Sequence, residues 1–360
     1  MRHLISRLAL VAMFFCSVML LSAQQPQDKD KDKDKDKKPP PIPPVNPAAA
    51  RLEATISGLA GPAFDLAAVG DDLIAVACER DSIDVFRKDA LKDPKAAKPE
   101  VWKAHQGPVV ALAWGSGPVL ASAGADRKIV FWKLPEGKPL HTVPAPTRLR
   151  CLAMSRDGKW LASGGEDGAV QLWDVASAKP GPKLADHKDW VLSLAFSPDS
   201  KQLASGSIDG TIRLWDVAMA KKVADLPFKP PPDKKTPPPD PIAVHSLAFA
   251  PDGKALLYGG ADGPIHFINP GDGKTIRTLT GHTGPVTAIR FHPSGNLMAT
   301  SSKDRTVLLW NPAQPQPVKK LEGHTAWVEG LAFLNQGQQL ASAGADQTLR
   351  IWDLTEPKKK

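Results

Sequence analysis

Residues 187–216 read HKDWVLSLAFSPDSKQLASGSIDGTIRLWD, and this stretch decides the fold because its pattern recurs along most of the chain. It begins with His187, carries Ser205 and Asp209 at fixed spacings, and reaches Trp215 near its end. The same positions return about every 42 residues, a period typical of stacked supersecondary units. Such units cannot bury their apolar faces alone, so the seven copies must pack on one another.

Each copy reads as strands joined by tight turns. In the quoted copy, apolar or alternating runs are separated by the Pro-Asp-Ser turn at 198–200 and by Asp209-Gly210. Period-two alternation and turn signals every 8 to 12 residues are typical of all-β architectures. The predicted strands of this copy are 191–196, 202–205, 211–215 and 222–226.

The recurring dipeptides resemble those of WD repeats. The Gly-His openings, the Ser-Pro-Asp turn and the Trp-Asp endings occur in the family's order and spacing. Examples are Gly281-His282, Gly323-His324, Trp173-Asp174, Trp215-Asp216 and Trp352-Asp353. The resemblance covers residues 51–356 and implies an all-β, seven-bladed WD-repeat β-propeller with one four-stranded blade per repeat.

Ring closure can also be predicted. The seventh copy ends at its third strand, 349–354, so its fourth strand has to come from elsewhere. Residues 54–58 align with 278–281, an outer strand that leads into the next blade. We therefore expect the N-terminal strand to complete blade 7, which also protects a sheet edge.

Four copies contain a full set of His, Ser or Thr, Asp and Trp. In the family, these side chains form a hydrogen-bonded chain within one blade, which satisfies a buried indole N–H and imidazole. The resemblance therefore implies a structural network rather than repeated catalytic triads. Its members are His105, Ser122, Asp126, Trp132, His187, Ser205, Asp209, Trp215, His282, Thr300, Asp304, Trp310, His324, Ser342, Asp346 and Trp352.

The other three copies are degenerate. Blade 1 has Leu59, Arg80 and Phe86 at the His, Asp and Trp positions, blade 3 has Ala145 for His, and blade 5 has Asp240, Tyr258 and Ile268 around Asp262. Asp262 is expected either in solvent at its turn or in a surface contact.

Partner binding is expected on one end of the ring. In WD-repeat propellers, the loops that carry the His and the Asp share the top face, where the central channel opens. Aromatic and Arg residues are the usual anchors of interfaces. An alternative is that the tryptophans merely cover the channel mouth. The predicted contacts are Trp190, Trp327, Leu192, Glu329, Arg148, Arg150, Glu166, His245 and Lys303, with Ile208 and Phe64 at equivalent positions.

The segments outside the repeats have distinct compositions. Residues 1–23 combine Arg2 and Arg7, an apolar run and a small-residue end at Ala23, typical of a secretory signal peptide. An uncleaved membrane anchor is the alternative. We predict a disordered Lys/Asp- and Pro-rich linker at 24–50, a basic tail at 357–360 and a proline-rich insertion at 228–241, which is either a docking peptide or an inert spacer.

The charge does not favour nucleic acid as a partner. The formal net charge is +8, but most of the excess lies in the signal peptide, linker and tail, which leaves about +2 on the repeats. A nucleic-acid reader carries its basic patch on the folded surface. We expect a monomer, exported in the bacterial manner to the periplasm or cell envelope or secreted, with no membrane span after signal cleavage.

Three functions were weighed. The resemblance implies a non-enzymatic protein–protein interaction scaffold that binds a protein or peptide on the top face. The alternative is a propeller that binds an envelope glycan or small ligand. An enzyme that uses the channel is disfavoured, because the inner strands centre on small residues and the remaining histidines, His141, His245, His266 and His292, lack metal-ligand spacing. No catalytic residue, metal or cofactor is predicted.

Overall fold

The computed structural model describes residues 44–93, 96–227 and 242–356. The predicted signal peptide, the linker up to residue 43, the proline-rich insertion at 228–241 and the basic tail lie outside the described residues. Among the residues described, no helix is long and apolar enough to cross a membrane.

Seven four-stranded antiparallel sheets make up the described ring, so the predicted seven-bladed propeller is confirmed. In each blade, the strands follow one another from the channel outward. The strands are β1 Arg51–Ser57; β2 Ala63–Val69, β3 Leu73–Cys78, β4 Ser82–Arg87 and β5 Glu100–Lys103 in blade 1; β6 Val109–Ala113, β7 Val119–Gly124, β8 Lys128–Lys133 and β9 Lys138–Pro144 in blade 2; β10 Leu149–Met154, β11 Trp160–Gly165, β12 Ala169–Asp174 and β13 Lys179–Ala185 in blade 3; β14 Val191–Phe196, β15 Gln202–Ser207, β16 Thr211–Asp216 and β17 Lys221–Pro227 in blade 4; β18 Val244–Phe249, β19 Leu256–Gly260, β20 Ile265–Ile268 and β21 Thr275–Leu279 in blade 5; β22 Val286–Phe291, β23 Met298–Ser302, β24 Val307–Trp310 and β25 Pro317–Leu321 in blade 6; and β26 Val328–Leu334, β27 Gln339–Gly344 and β28 Thr348–Asp353 in blade 7.

The first strand closes the ring, as the sequence predicts. β1 pairs antiparallel with β28, so that Ile56 lies opposite Leu349 and Arg51 lies opposite Asp353. Blade 7 thereby gains its fourth strand from the other end of the chain. Backbone hydrogen bonds that tie chain ends together leave no unpaired edge on β28.

Apolar packing lies between the blades rather than within each one. Trp132 of blade 2 is buried in one cluster with Val85 of blade 1, and Trp173 of blade 3 is buried with Phe131 of blade 2. Each sheet buries both faces against its neighbours, which is why its strands carry apolar residues in nearly continuous runs. A buried tryptophan removes on the order of 200 Å² from water, so these rings dominate the packing.

Polar side chains on the inner strands link neighbouring blades. Ser193 Oγ donates to the carbonyl of Val244 at 3.0 Å, and Ser246 Oγ donates to that of Val286 at the same distance. Gly330 of β26 lies so close to blade 1 that an added Cβ would fall 2.6 Å from the Cβ of Leu66. Small residues at these positions therefore allow the strands to converge on the channel.

The residues just before β1 differ from the expected linker. Pro47–Ala49 forms a short 3-10 helix capped by the side chain of Asn46, and the Asn46 N–H donates to the carbonyl of Leu354. Val45 and Ala50 pack against the cluster that contains Leu354. Residues 44–50 therefore belong to the folded ring, because they have apolar surface to bury.

Both cysteines within the described residues are buried free thiols. Burial raises the pKa of the Cys78 thiol to about 12, so it stays protonated at neutral pH. Cys78 lies on β3 of blade 1 and Cys151 lies on β10 of blade 3.

Candidate functional site

Blade 2 shows how the predicted His-Ser-Asp-Trp set is connected. Trp132 Nε1 donates to Ser122 Oγ at 2.8 Å, and Ser122 Oγ lies 2.7 Å from His105 Nε2. His105 Nδ1 lies 3.1 Å from the Asp126 carboxylate. With the hydroxyl donating to Nε2, the imidazole is neutral and its Nδ1–H donates to Asp126.

The same chain of hydrogen bonds is present in blades 4, 6 and 7. The indole-to-hydroxyl and hydroxyl-to-imidazole distances lie between 2.7 and 2.9 Å. Each carboxylate also accepts the backbone N–H of the residue after the histidine. The chains are Trp215-Ser205-His187-Asp209, Trp310-Thr300-His282-Asp304 and Trp352-Ser342-His324-Asp346.

In blade 4, burial and hydrogen bonds favour a neutral histidine and a charged aspartate. Burial lowers the pKa of His187 and outweighs the attraction of Asp209, so the neutral imidazole is favoured. Burial opposes the charge on Asp209, but hydrogen bonds from Thr211 and from the Lys188 N–H lower its pKa to about 2. Each donor and acceptor in the chain already has a partner inside the blade. This arrangement holds the loop before the inner strand against the turn before the third strand.

The degenerate blades satisfy their polar groups in other ways. In blade 1, the buried Asp84 accepts the N–H of Ala60 at 2.8 Å and so holds that loop without a histidine. In blade 3, Trp173 keeps its bond to Ser163 at 2.9 Å, while Asp167 pairs with Lys183 at 3.1 Å. The sequence did not single out Asp84, because its position matches none in the repeat pattern.

Asp262 of blade 5 lies partly in solvent near its turn. Its carboxylate lies 3.7 Å from His266 Nε2, and 28% of the Asp262 side chain is exposed. His266 stacks on the Tyr258 ring, with 4.7 Å between ring centroids.

Among the residues that the structure describes, no cluster of three or more His, Cys, Asp or Glu side chains could hold a metal ion.

The top face carries two exposed tryptophans, each paired with a cation from the preceding blade. The Arg150 guanidinium lies 4.5 Å from the centroid of Trp190, and it donates to Glu166 at 2.7 Å. Lys303 Nζ lies 4.2 Å from the centroid of Trp327. Trp190 is 36% exposed and Trp327 is 51% exposed. Cation–π contacts of this kind favour one orientation of each ring.

Between these two pairs lies the upper channel, a cavity of about 230 Å³ at the top end of the inner strands. It brings together six of the residues that the sequence placed on this face. They are Phe64, Arg150, Leu192, His245, Lys303 and Glu329. The other predicted residues, Arg148, Glu166, Trp190, Ile208 and Trp327, are not in its lining. Of these, Arg148 is exposed, and Ile208 and Trp190 are joined by a backbone hydrogen bond.

The upper channel contains acids held close to cations. Burial raises the pKa of Glu329, with Lys303 opposing the shift and Asp65 adding to it. Burial also raises the pKa of Asp65, against the attraction of Arg290 and hydrogen bonds from backbone amides. For His245, burial and the nearby Lys303 lower the pKa and favour the neutral ring.

Asp65 and Arg290 line the channel, but the sequence interpretation missed both. Asp65 is the third residue of its inner strand, where the other blades have Ala, Cys, Ser or Gly. Arg290 is the fifth residue of its inner strand, where the six other blades have alanine. Alignment of the seven inner strands, rather than of the His-Ser-Asp-Trp positions, carries the signal that identifies them.

Comparison with known families supports the repeat assignment. The model described as "WD domain, G-beta repeat" matches residues 98–133, 137–174, 178–216, 273–311 and 315–353. The unmatched stretches contain most of blade 1, which lacks all four network residues, and most of blade 5, which lacks three of them.

Three curated relatives illustrate the similarity. The chain is 35% identical over 74 residues to Nuclear distribution protein nudF of Emericella nidulans, which covers 20% of this chain and 17% of the relative. It is 29% identical over 143 residues to nudF of Aspergillus niger, covering 39% and 32%. It is 26% identical over 117 residues to U3 small nucleolar RNA-interacting protein 2 of Homo sapiens, covering 29% and 25%. The matched parts thus span about a third or less of each relative.

Proposed function

The chain belongs to the WD-repeat family, and on that premise we propose that it is a non-enzymatic scaffold that binds a partner protein or peptide on its top face. The observation that carries the proposal is the pair of exposed, oriented tryptophans, Trp190 and Trp327, on either side of the upper channel. Rings that already favour one orientation lose less conformational freedom on binding, which favours affinity.

The chemistry of the site supports binding rather than catalysis. The recurrent histidines and aspartates are engaged in their own blades, at distances between 2.7 and 3.3 Å from their partners. The lining of the upper channel offers mixed charges and apolar surface, as at an interface with aromatic and arginine anchors. The names of the human and fungal relatives refer to RNA interaction and nuclear distribution, and neither activity is carried over to this chain.

The scaffold proposal is tested by capture experiments with three forms of the protein. Wild type, the double variant Trp190→Ala/Trp327→Ala and the control Trp114→Ala are used to retain proteins from extracts of the source cell. Trp114 is a half-buried tryptophan outside the blade networks, at the opposite end of the inner strands. We expect the double variant to lose the partner about 100-fold or more, because two anchors are removed, and Trp114→Ala to keep it.

Two outcomes contradict the scaffold proposal. Unchanged protein capture by the double variant shows that the top face is not the binding site. Lost retention of an envelope glycan with unchanged protein capture favours the glycan-binding alternative.

We also propose that the chain is exported to the periplasm or cell envelope or secreted. Arg2, Arg7 and the apolar run that ends near Ala23 support this location, and the fungal and human relatives neither share a stated export role nor speak to these residues. Sequencing the amino terminus of the native protein is the test. A mature protein that starts at Gln24 is expected, whereas an intact Met1 in a cytosolic fraction contradicts export.

A further inference from the structure

A second cavity lies at the other end of the inner strands. This lower channel has a volume of about 500 Å³, within the range of about 300–1,000 Å³ typical of small-molecule pockets. Large apolar side chains from six blades line it, at the position where each inner strand ends. They are Trp114, Met154, Phe196, Phe249, Phe291 and Phe333.

One charged side chain lies among these apolar side chains, which also pack against the clusters between blades. Among the described residues that line the lower channel, Arg290 is the charged one, and the equivalent positions of the other six blades contribute alanines. Those alanines are Ala67, Ala113, Ala153, Ala195, Ala248 and Ala332. Arg290 also lines the upper channel, so its side chain lies between the two cavities. Removing a cation from water is costly unless a group of opposite charge lies close to it.

The contacts of Arg290 leave donors available. Its Nη1 donates to the carbonyl of Ile289 at 3.0 Å, while a guanidinium has five N–H donors in all. Asp65 is its electrostatic counterpart in the channel, but the Asp65 oxygens accept the N–H groups of Leu66 at 2.8 Å and Leu112 at 2.9 Å. Asp65 is therefore engaged in joining blade 1 to blade 2. An anion that enters the lower channel meets the guanidinium at its inner end.

We propose that the lower channel binds a small amphiphilic carboxylate, with its apolar tail among the aromatic side chains and its carboxylate on the guanidinium of Arg290. A planar guanidinium matches a carboxylate through two parallel hydrogen bonds, which gives both strength and orientation. Removal of the tail from water against Phe196, Phe249 and Phe291 adds a non-directional contribution. Aliphatic and aromatic acids share this chemistry, and the choice of probe distinguishes them.

The proposal is tested by calorimetric titration of the full chain with decanoate, phenylbutyrate and the uncharged decanol. We expect one site per chain and at least about tenfold tighter binding of decanoate than of decanol, because the hydrogen bonds to a charged group are lost with the alcohol. Tighter binding of decanoate than of phenylbutyrate identifies an aliphatic tail, and the reverse identifies an aromatic one.

Variants assign the effect to Arg290. Arg290→Met is expected to weaken decanoate at least about tenfold and to leave decanol unchanged. Arg156→Met is the matched control, because Arg156 is an exposed arginine in the turn after β10, at the same end of the ring, but outside the lining. The Trp190→Ala/Trp327→Ala variant is expected to bind decanoate normally, which separates this site from the proposed top-face function.

Several results overturn the proposal. These are no saturable decanoate binding to wild type, equal affinity for decanoate and decanol, an equal loss in Arg156→Met, or no loss in Arg290→Met. Near-ultraviolet circular dichroism checks that each variant folds. If Arg290→Met does not fold, the wild-type ratio of decanoate to decanol affinity and the charge-preserving Arg290→Lys decide the question.

Discussion

At the scale of single residues, the hydrogen-bonded chains explain why His, Ser or Thr, Asp and Trp recur together. A hydroxyl such as Ser205 Oγ accepts from the Trp215 indole at 2.9 Å and lies 2.7 Å from the imidazole of His187. A buried polar group left without its partner costs about 1–3 kcal/mol, so the loss of one side chain also destabilises the side chains that were hydrogen-bonded to it. The resemblance to WD repeats, which the spacing of these residues carries, was sufficient to predict the chain of hydrogen bonds.

The same argument predicts unequal effects for two turn aspartates. Asp209→Ala removes acceptors from His187, from Thr211 and from the Lys188 N–H, so we expect a loss of about 2 kcal/mol in the free energy of unfolding. Asp262→Ala removes a carboxylate that is 28% exposed and 3.7 Å from His266, so a loss below about 1 kcal/mol is expected. Chemical denaturation of both variants measures the difference. Equal losses contradict the assignment of the network.

The top-face contacts at this scale could be predicted only in part. The sequence identified Trp190, Arg150, Trp327 and Lys303 one position at a time, by comparison between copies. It did not show that Arg150 lies over Trp190 or that Lys303 lies over Trp327, because each pair joins consecutive blades. Such contacts depend on how closely neighbouring sheets approach, which no single repeat specifies.

At the scale of elements, the strand β1 has a large effect because it closes the ring. It pairs with β28 over six positions and buries Ala54 and Ile56 in the cluster between blades 7 and 1. Residues 44–50 add a short 3-10 helix whose flanking Val45 and Ala50 pack against blade 6 and blade 7 residues. The sequence predicted the strand from its similarity to another outer strand, but assigned 44–50 to the linker because of its prolines.

Truncation tests the role of β1. A protein that begins at residue 44 retains every element that the structure describes, so we expect it to melt like the full chain. A protein that begins at residue 58 lacks β1, and we expect it to lose at least about 3 kcal/mol, since the burial of Ile56 and other apolar surface is lost. Its exposed β28 edge should also promote self-association.

Thermal melting and light scattering of the two truncated proteins measure these effects. Equal melting temperatures, with both proteins monomeric, contradict a closing role for β1. A loss of stability already in the protein that begins at residue 44 instead assigns the closing contribution to the residues before it.

At the scale of the whole molecule, convergence of seven inner strands creates two chemically different cavities. The upper channel contains Asp65, Glu329, Arg150 and Lys303, whereas Arg290 is the one charged residue among the described residues that line the lower channel. The blades differ at the second and third positions of these strands, and the fifth position is alanine in every blade except blade 6, which has Arg290. Because equivalent positions of all blades face a shared space, each exception changes the chemistry of the whole channel rather than of one blade.

The sequence by itself determined the number of blades, the strands, the closing strand and the hydrogen-bonded chains. The strands follow from patterns within one repeat and the closing strand from similarity between repeats, whereas the blades and the hydrogen-bonded chains follow from the resemblance to WD repeats that those repeats carry. The tertiary structure decided which of the residues that differ between repeats lie close together. These are Asp65 with Arg290 across the channel, Arg150 with Trp190, and Lys303 with Trp327. Those contacts depend on the curvature of the closed ring, a property of all seven blades packed together.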